Sequence, residues 1–243
     1  MILSIPLLMG FAFLLEACFG FGGGWIAVPI LTLMMEPKDA VFLMLVFQCM
    51  KAVLLIPSWK HISWKSLTFL PVGMVFGVLI GIFILDIVSP DVFKLGLAIY
   101  LIIFVVSDYA NFRVVSREWL KGKAGSLGAG FLGGVISGVT GMGGPPYVIY
   151  LRALELNKLA FRATMICVMS FSNFFRLSWD FVEIIHNEVV QIYFLPCFVM
   201  FALASVIGSQ FPRFLSEKVF KNTINTMLAG SALMLLYNLF ASG

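Results

Sequence analysis

The stretch "CFGFGGGWIAVP", Cys18 to Pro29, decides how this chain is read. Four of the five residues from Gly20 to Gly24 are glycine, with Phe21 between, and apolar sequence flanks them on both sides. Glycine in a helix interior costs about 1 kcal/mol against alanine. The run therefore predicts a backbone-exposing turn inside what otherwise reads as a membrane span.

The apolar character extends through the chain. Of its 243 residues, 61% are hydrophobic and 12% charged, and the mean hydropathy is +1.03. A soluble domain is about half apolar and a quarter charged, so lipid is the expected surroundings. At about 20 residues per span the chain holds roughly eight, leaving no room for a soluble domain. It carries no G-x-x-x-x-G-K-[ST] phosphate loop, which argues against an ATP-driven pump in one chain. The N-terminal segment lacks a basic stretch and an A-x-A-like cleavage site, and reads as part of the mature protein. The net charge of +4 comes from basic residues in short loops, where topology needs them, so nucleic acid is not an expected partner. Cys18, Cys49, Cys167 and Cys197 lie in apolar segments without a C-x-x-C pair, and His61 and His186 stand alone. No metal site, cofactor or catalytic constellation is expected, and the chain does not read as an enzyme.

The chain resembles itself. "GFGG" at Gly20–Gly23 recurs 121 residues on as "GMGG" at Gly141–Gly144. "SW" at Ser58 recurs at Ser178, "VFK" at Val92 recurs at Val219, and Gly81 matches Gly208. Their common order and nearly constant spacing predict an internal duplication. The expected division is 1–108, a cytoplasmic linker at 109–123, and 124–243. Each half holds a glycine-interrupted segment (2–35; 125–153) and three ordinary spans (40–57, 66–86, 92–108; 162–179, 189–210, 220–240). Gly73, Gly77 and Gly81 share one helix face, which suits close packing in lipid.

Basic loops favour the cytoplasm. Lys60 and Lys65 place the 58–65 loop inside, and so do the basic residues of the linker and of 211–221. The acidic 86–91 turn, and the loop read after residue 179 from Asp180, Glu183 and Glu188, fall outside. These assignments have the right parity if 125–153 is a re-entrant hairpin rather than two crossings. The pieces 125–139 and 144–153 reach only about 22 and 15 Å at 1.5 Å per residue, against a core of about 30 Å. The expectation is an all-α integral membrane protein of two inverted-topology repeats, each a re-entrant hairpin plus three transmembrane helices, with both termini outside. Eight full crossings with parallel halves is the alternative.

Such folds bind substrate near the midplane, where half-helix ends meet. Helices starting near Gly24 and Pro145 would offer free N–H groups and a partial positive charge, a ready anion site. Pro145 suits a first helical turn. A packing role for the glycines is the competing reading. A potassium-filter reading of "GFG" lacks four-fold repetition. Ionisable residues inside spans are candidates by default. Lys51 and Arg176 fit an anion, or else snorkel to an interface. Glu16, one turn before the first glycine run, is the candidate for proton coupling or for pairing with Lys51 or Arg176. Gln48, Ser172 and Asn173 supply neutral hydrogen bonds, to a ligand or between helices.

"GFGGGWIAVPIL" (Gly20–Leu31) and "GVTGMGGPPYVIYL" (Gly138–Leu151) resemble the paired motifs of the sulfite exporter TauE/SafE family. The likeness in size, duplication and motif covers essentially the whole chain. The first motif departs from the pattern, with Trp25 where a proline would follow the glycines. The resemblance implies secondary transport of sulfite, a sulfonate or a related organosulfur anion, often as export across a bacterial inner membrane. By motif it carries over only the glycine-loop positions: Gly20, Gly22, Gly23, Gly24 and Trp25, with Thr140, Gly141, Gly143, Gly144 and Pro145. The expected mechanism is alternating access around an anion held at the midplane between the two loops. An anion channel, or a membrane-embedded enzyme or assembly factor for a sulfur compound, is the alternative. Monomer and homodimer both stay open.

Overall fold

The structure is a computed structural model that describes residues 3–19, 22–52, 59–109, 117–210 and 217–241. It is helical throughout, with no strand among the described residues. The helices are α1 (Ser4–Phe19), α2 (Gly23–Leu31), α3 (Pro37–Met50), α4 (Leu70–Ile87), α5 (Pro90–Tyr109), α6 (Arg117–Lys121), α7 (Lys123–Thr140), α8 (Gly144–Ala153), α9 (Lys158–His186), α10 (Glu188–Gln210) and α11 (Glu217–Ala241). Each glycine-interrupted segment is a pair of helices in contact, α1 with α2 and α7 with α8. By length and composition, α4 and the stretch Glu188–Gly208 of α10 suffice to cross a membrane among the described residues.

The helices turn large apolar side chains outward at helical spacing. On α4 these are Val72, Phe76, Ile80, Phe83 and Ile87; on α10, Ile192, Leu195, Val199, Leu203 and Val206. Burying one such side chain is worth about 1.5–3 kcal/mol in water. Stripes of them left outside mark a surface made for lipid rather than water. Polar and charged side chains take the opposite position: Glu16, Gln48, Lys51, Asn173, Arg176 and Asp180 are all buried.

The chain divides into two compact units, and each takes helices from both sequence halves. One comprises 1–44, 88–112 and 185–243; the other 45–87 and 113–184. In the first, α1 packs on α10, α5 on α11, and α2 on α11. Phe13 meets Phe201 edge-on at 4.9 Å. Gly208 sits on Ala17, whose Cβ would lie 2.5 Å from a methyl group added at Gly208.

In the second unit α4 lies on α7 along nearly its whole length. The glycine face foreseen on α4 has a glycine face as its partner. Gly73, Gly77 and Gly81 rest on the carbonyls of Leu127, Phe131 and Val135, while Gly130, Gly134 and Gly138 rest on those of Leu70, Met74 and Val78. With no side chain intervening, the backbones approach closely enough for Cα–H···O contacts, each worth about 0.5–1 kcal/mol. Contact partners rise together along the two chains, so α4 and α7 run parallel. At 18 residues each, both are about 27 Å long. The turn after α7 therefore lies level with the last turn of α4, rather than halfway along it as two short half-helices would place it.

One expectation fails outright. Asp180 is not in a loop: α9 continues to His186. Its inward face runs Met165, Met169, Ser172, Asn173, Arg176 and Asp180, all buried, while Phe171, Phe174, Phe181, Val182 and Ile185 face out. Asp180 sits buried within the helix because the cation one turn back neutralises it.

Candidate anion site at the second glycine turn

The second unit gathers most of the expected polar residues around the end of α7. Gly141 leaves the helix with φ 73, a left-handed backbone that costs glycine little. Its N–H donates to the Ser137 carbonyl at 2.8 Å. Thr140 fastens the turn, its hydroxyl donating to the Ile136 carbonyl at 2.8 Å and accepting from the Met142 N–H at 3.2 Å. Gly143 then caps α8, and Pro145 and Pro146 occupy its first positions, where no N–H bond is lost. A methyl group at Gly143 would run into the Gly133 carbonyl and come within 2.8 Å of Ser137 Cβ and 3.1 Å of the Tyr147 ring. Only glycine lets the start of α8 close down on α7.

Arg176 reaches this turn from α9. It is fully buried, so it does not snorkel. Its Nε donates to Asp180 Oδ2 at 3.2 Å, and its Nη1 donates to the Ser137 carbonyl at 2.7 Å, the same oxygen that holds Gly141. Nη2 has no hydrogen-bond partner. Beside it, the Ser172 hydroxyl donates to Ser137 Oγ at 2.8 Å. The Tyr147 hydroxyl, on the first turns of α8, is also buried, and it stands beside Ser172 without a well-formed hydrogen bond. An unbonded buried donor costs about 1–3 kcal/mol, more for a charged group. Two of them beside a helix start suit an incoming acceptor with several oxygens.

The remaining expected residues lie elsewhere. Asn173 donates to Gln48 Oε1 at 3.0 Å, so the two amides bond to each other across α9 and α3. Lys51 is buried in the turn after α3. In the first unit, Gly22 has φ 108 and caps α2, where Gly23, Gly24 and Trp25 form a buried first turn. Trp25 packs on Phe104 of α5 at 4.9 Å. Glu16 is buried, with Oε2 2.5 Å from where a methyl group at Gly23 would stand, so its carboxylate lies against the start of α2. Gly20 falls outside the described residues. Sequence reading missed Ser137, Tyr147 and Asp180. Only Asp180 left a trace there, four residues after Arg176 and on the same helix face.

The sequence model of the family described as sulfite exporter TauE/SafE matches residues 5–235. The chain is also similar to the probable sulfite/organosulfonate exporter TauE of Cupriavidus necator, 21% identical over 215 residues that cover 87% of this chain and 84% of the relative. No solved structure matches. With both glycine turns inside the matched span, this all-helical chain belongs to the sulfite exporter TauE/SafE family.

Proposed function

We propose that the protein is a secondary carrier that exports sulfite, a sulfonate or a related small sulfur-containing anion across the bacterial inner membrane by alternating access. The observation that carries this reading is Arg176, fully buried beside the Gly141 turn with one guanidinium nitrogen unbonded. A buried cation is costly unless each of its donors finds a partner, and Asp180 and the Ser137 carbonyl engage only two of the three guanidinium nitrogens of Arg176. A pyramidal or tetrahedral oxyanion supplies acceptors that Nη2, the Tyr147 hydroxyl and the Gly144 N–H at the start of α8 can share. The Cupriavidus relative's description, together with the family's, sets the sulfur chemistry.

Two repeats of opposite topology suit such a carrier. The duplication is supported by contacts that recur one repeat apart. Gly81 on Gly138 corresponds to Gly208 on Ala17, and Gly143 against Gly133 and Ser137 is matched, one residue out of register, by Gly23 against Ala12 and Glu16. The acidic 86–91 turn and the basic 211–221 loop, at matching places in the two halves, support opposite insertion, with both termini outside.

The test is sulfite counterflow in proteoliposomes. The expected result is saturable flux, accelerated by sulfite on the far side, and lost with Arg176→Gln. Flux that rises linearly with concentration and ignores sulfite on the far side would make the protein a channel.

A further inference from the structure

Arg176 offers an oxyanion two bidentate edges, and neither is free. The edge formed by Nη1 and Nη2 is half taken by the Ser137 carbonyl, and the edge formed by Nε and Nη2 is half taken by Asp180. The first occupant is a backbone carbonyl that also holds Gly141 at 2.8 Å, so it is fixed by the turn. The second is a side chain, able to rotate away. Charge points the same way. The buried pair Arg176–Asp180, 3.2 Å apart, is neutral. Adding an anion leaves a net negative charge in a medium where it is poorly screened. Adding an anion and a proton keeps the site neutral.

Resting on the exporter reading, we infer that Asp180 is the proton-coupling residue of this carrier. Its carboxylate holds the Nε edge of Arg176 while the site is empty. On taking a proton from water it releases that edge, and the anion closes on Nε and Nη2 together. The proton returns to water when the anion leaves and the carboxylate recovers Arg176. One proton therefore moves with each anion, and no bond other than the carboxyl O–H forms or breaks.

The other groups around the pair fit this role. Asp86, on the last turn of α4, also attracts Arg176 and is exposed. Glu183 and His186 follow on α9 and are both exposed. The hydrogen-bonding side chains that α7 and α3 bring to α9 are Ser137 and Gln48, neither of which titrates, and α8 brings the buried Tyr147 hydroxyl beside Ser172. Among these carboxylates Asp180 alone is both buried and bonded to the cation.

The test uses methanesulfonate, whose charge does not change with pH, alongside sulfite, on the full-length protein. For the wild type, affinity for methanesulfonate should fall about tenfold per pH unit as Asp180 loses its proton. Asp180→Asn, isosteric and unable to titrate, should bind with a flat pH profile and exchange anions without moving protons. Glu16→Gln should keep the wild-type slope. Wild-type protein in weak buffer should take up one proton per methanesulfonate bound, a measurement that needs no variant to fold. Equal slopes in wild type and Asp180→Asn, a slope lost with Glu16→Gln but kept with Asp180→Asn, or binding without proton uptake would each overturn the assignment while leaving the exporter intact. If neither anion binds, the exporter reading fails, and this inference with it.

Discussion

Replacing Arg176 by lysine keeps the charge and removes the fork. In the empty protein the guanidinium commits Nε to Asp180 at 3.2 Å and Nη1 to the Ser137 carbonyl at 2.7 Å, and leaves Nη2 unbonded. These three directions are fixed in one plane, and a single ammonium on a flexible stem cannot serve all of them. The lysine will stay with Asp180, since an unpaired buried carboxylate is the costlier loss. Of the two nitrogens on which the anion would close, the lysine replaces at most one, so the anion forfeits at least one charge-assisted hydrogen bond, worth about 1.5–3 kcal/mol. At 1.4 kcal/mol per decade that is roughly a 10- to 150-fold rise in KM. Initial rates of labelled sulfite entry into proteoliposomes, at matched reconstituted protein, give KM and maximal rate. A thermal melt in detergent reports separately on the fold. A KM within a factor of two of wild type, in a protein with unchanged Tm, would show that Nη2 does not touch the substrate.

Tyr147→Phe removes a buried hydroxyl that has only a poorly formed contact with Ser172 to lose in the empty protein, so Tm should change little while sulfite affinity falls about tenfold, one neutral hydrogen bond at about 1–1.5 kcal/mol. Gly77→Leu drives a side chain into the Phe131 carbonyl and should cost about 1–3 kcal/mol, read as a lowered Tm or lost expression. Gly128→Ala on the same helix pair meets nothing within 4 Å and should raise stability by about 0.5–1 kcal/mol. Gln48→Ala leaves the Asn173 amide without its buried partner and should cost about 1–3 kcal/mol, again read as Tm.

Much of the architecture was legible because it rests on local signals. The glycine runs interrupt apolar segments, and at both places the chain breaks into two helices with a left-handed glycine nearby. The four-residue spacing of Gly73, Gly77 and Gly81 announced a contact face. What it could not announce was the partner, since Gly130, Gly134 and Gly138 are far along the chain and belong to the other half. Arg176 stood out as a cation in a span. Asp180 was misread as loop because a carboxylate following an apolar run looks like an exit from the membrane, and its pairing with Arg176 depends on the helix continuing.

The sequence by itself determined that this is a lipid-facing helical protein, broken at two glycine turns, and kin to a family of sulfite exporters. Composition, periodicity and motif are enough for that, because lipid exposure and helix interruption act residue by residue. Only the tertiary structure decided which turn gathers the polar groups. Ser137, Tyr147, Ser172, Arg176 and Asp180 come from three helices and meet because glycine faces let α4 and α7 touch and let α8 fold back onto α7. Whether a buried cation points at a ligand or at solvent is a property of that packing.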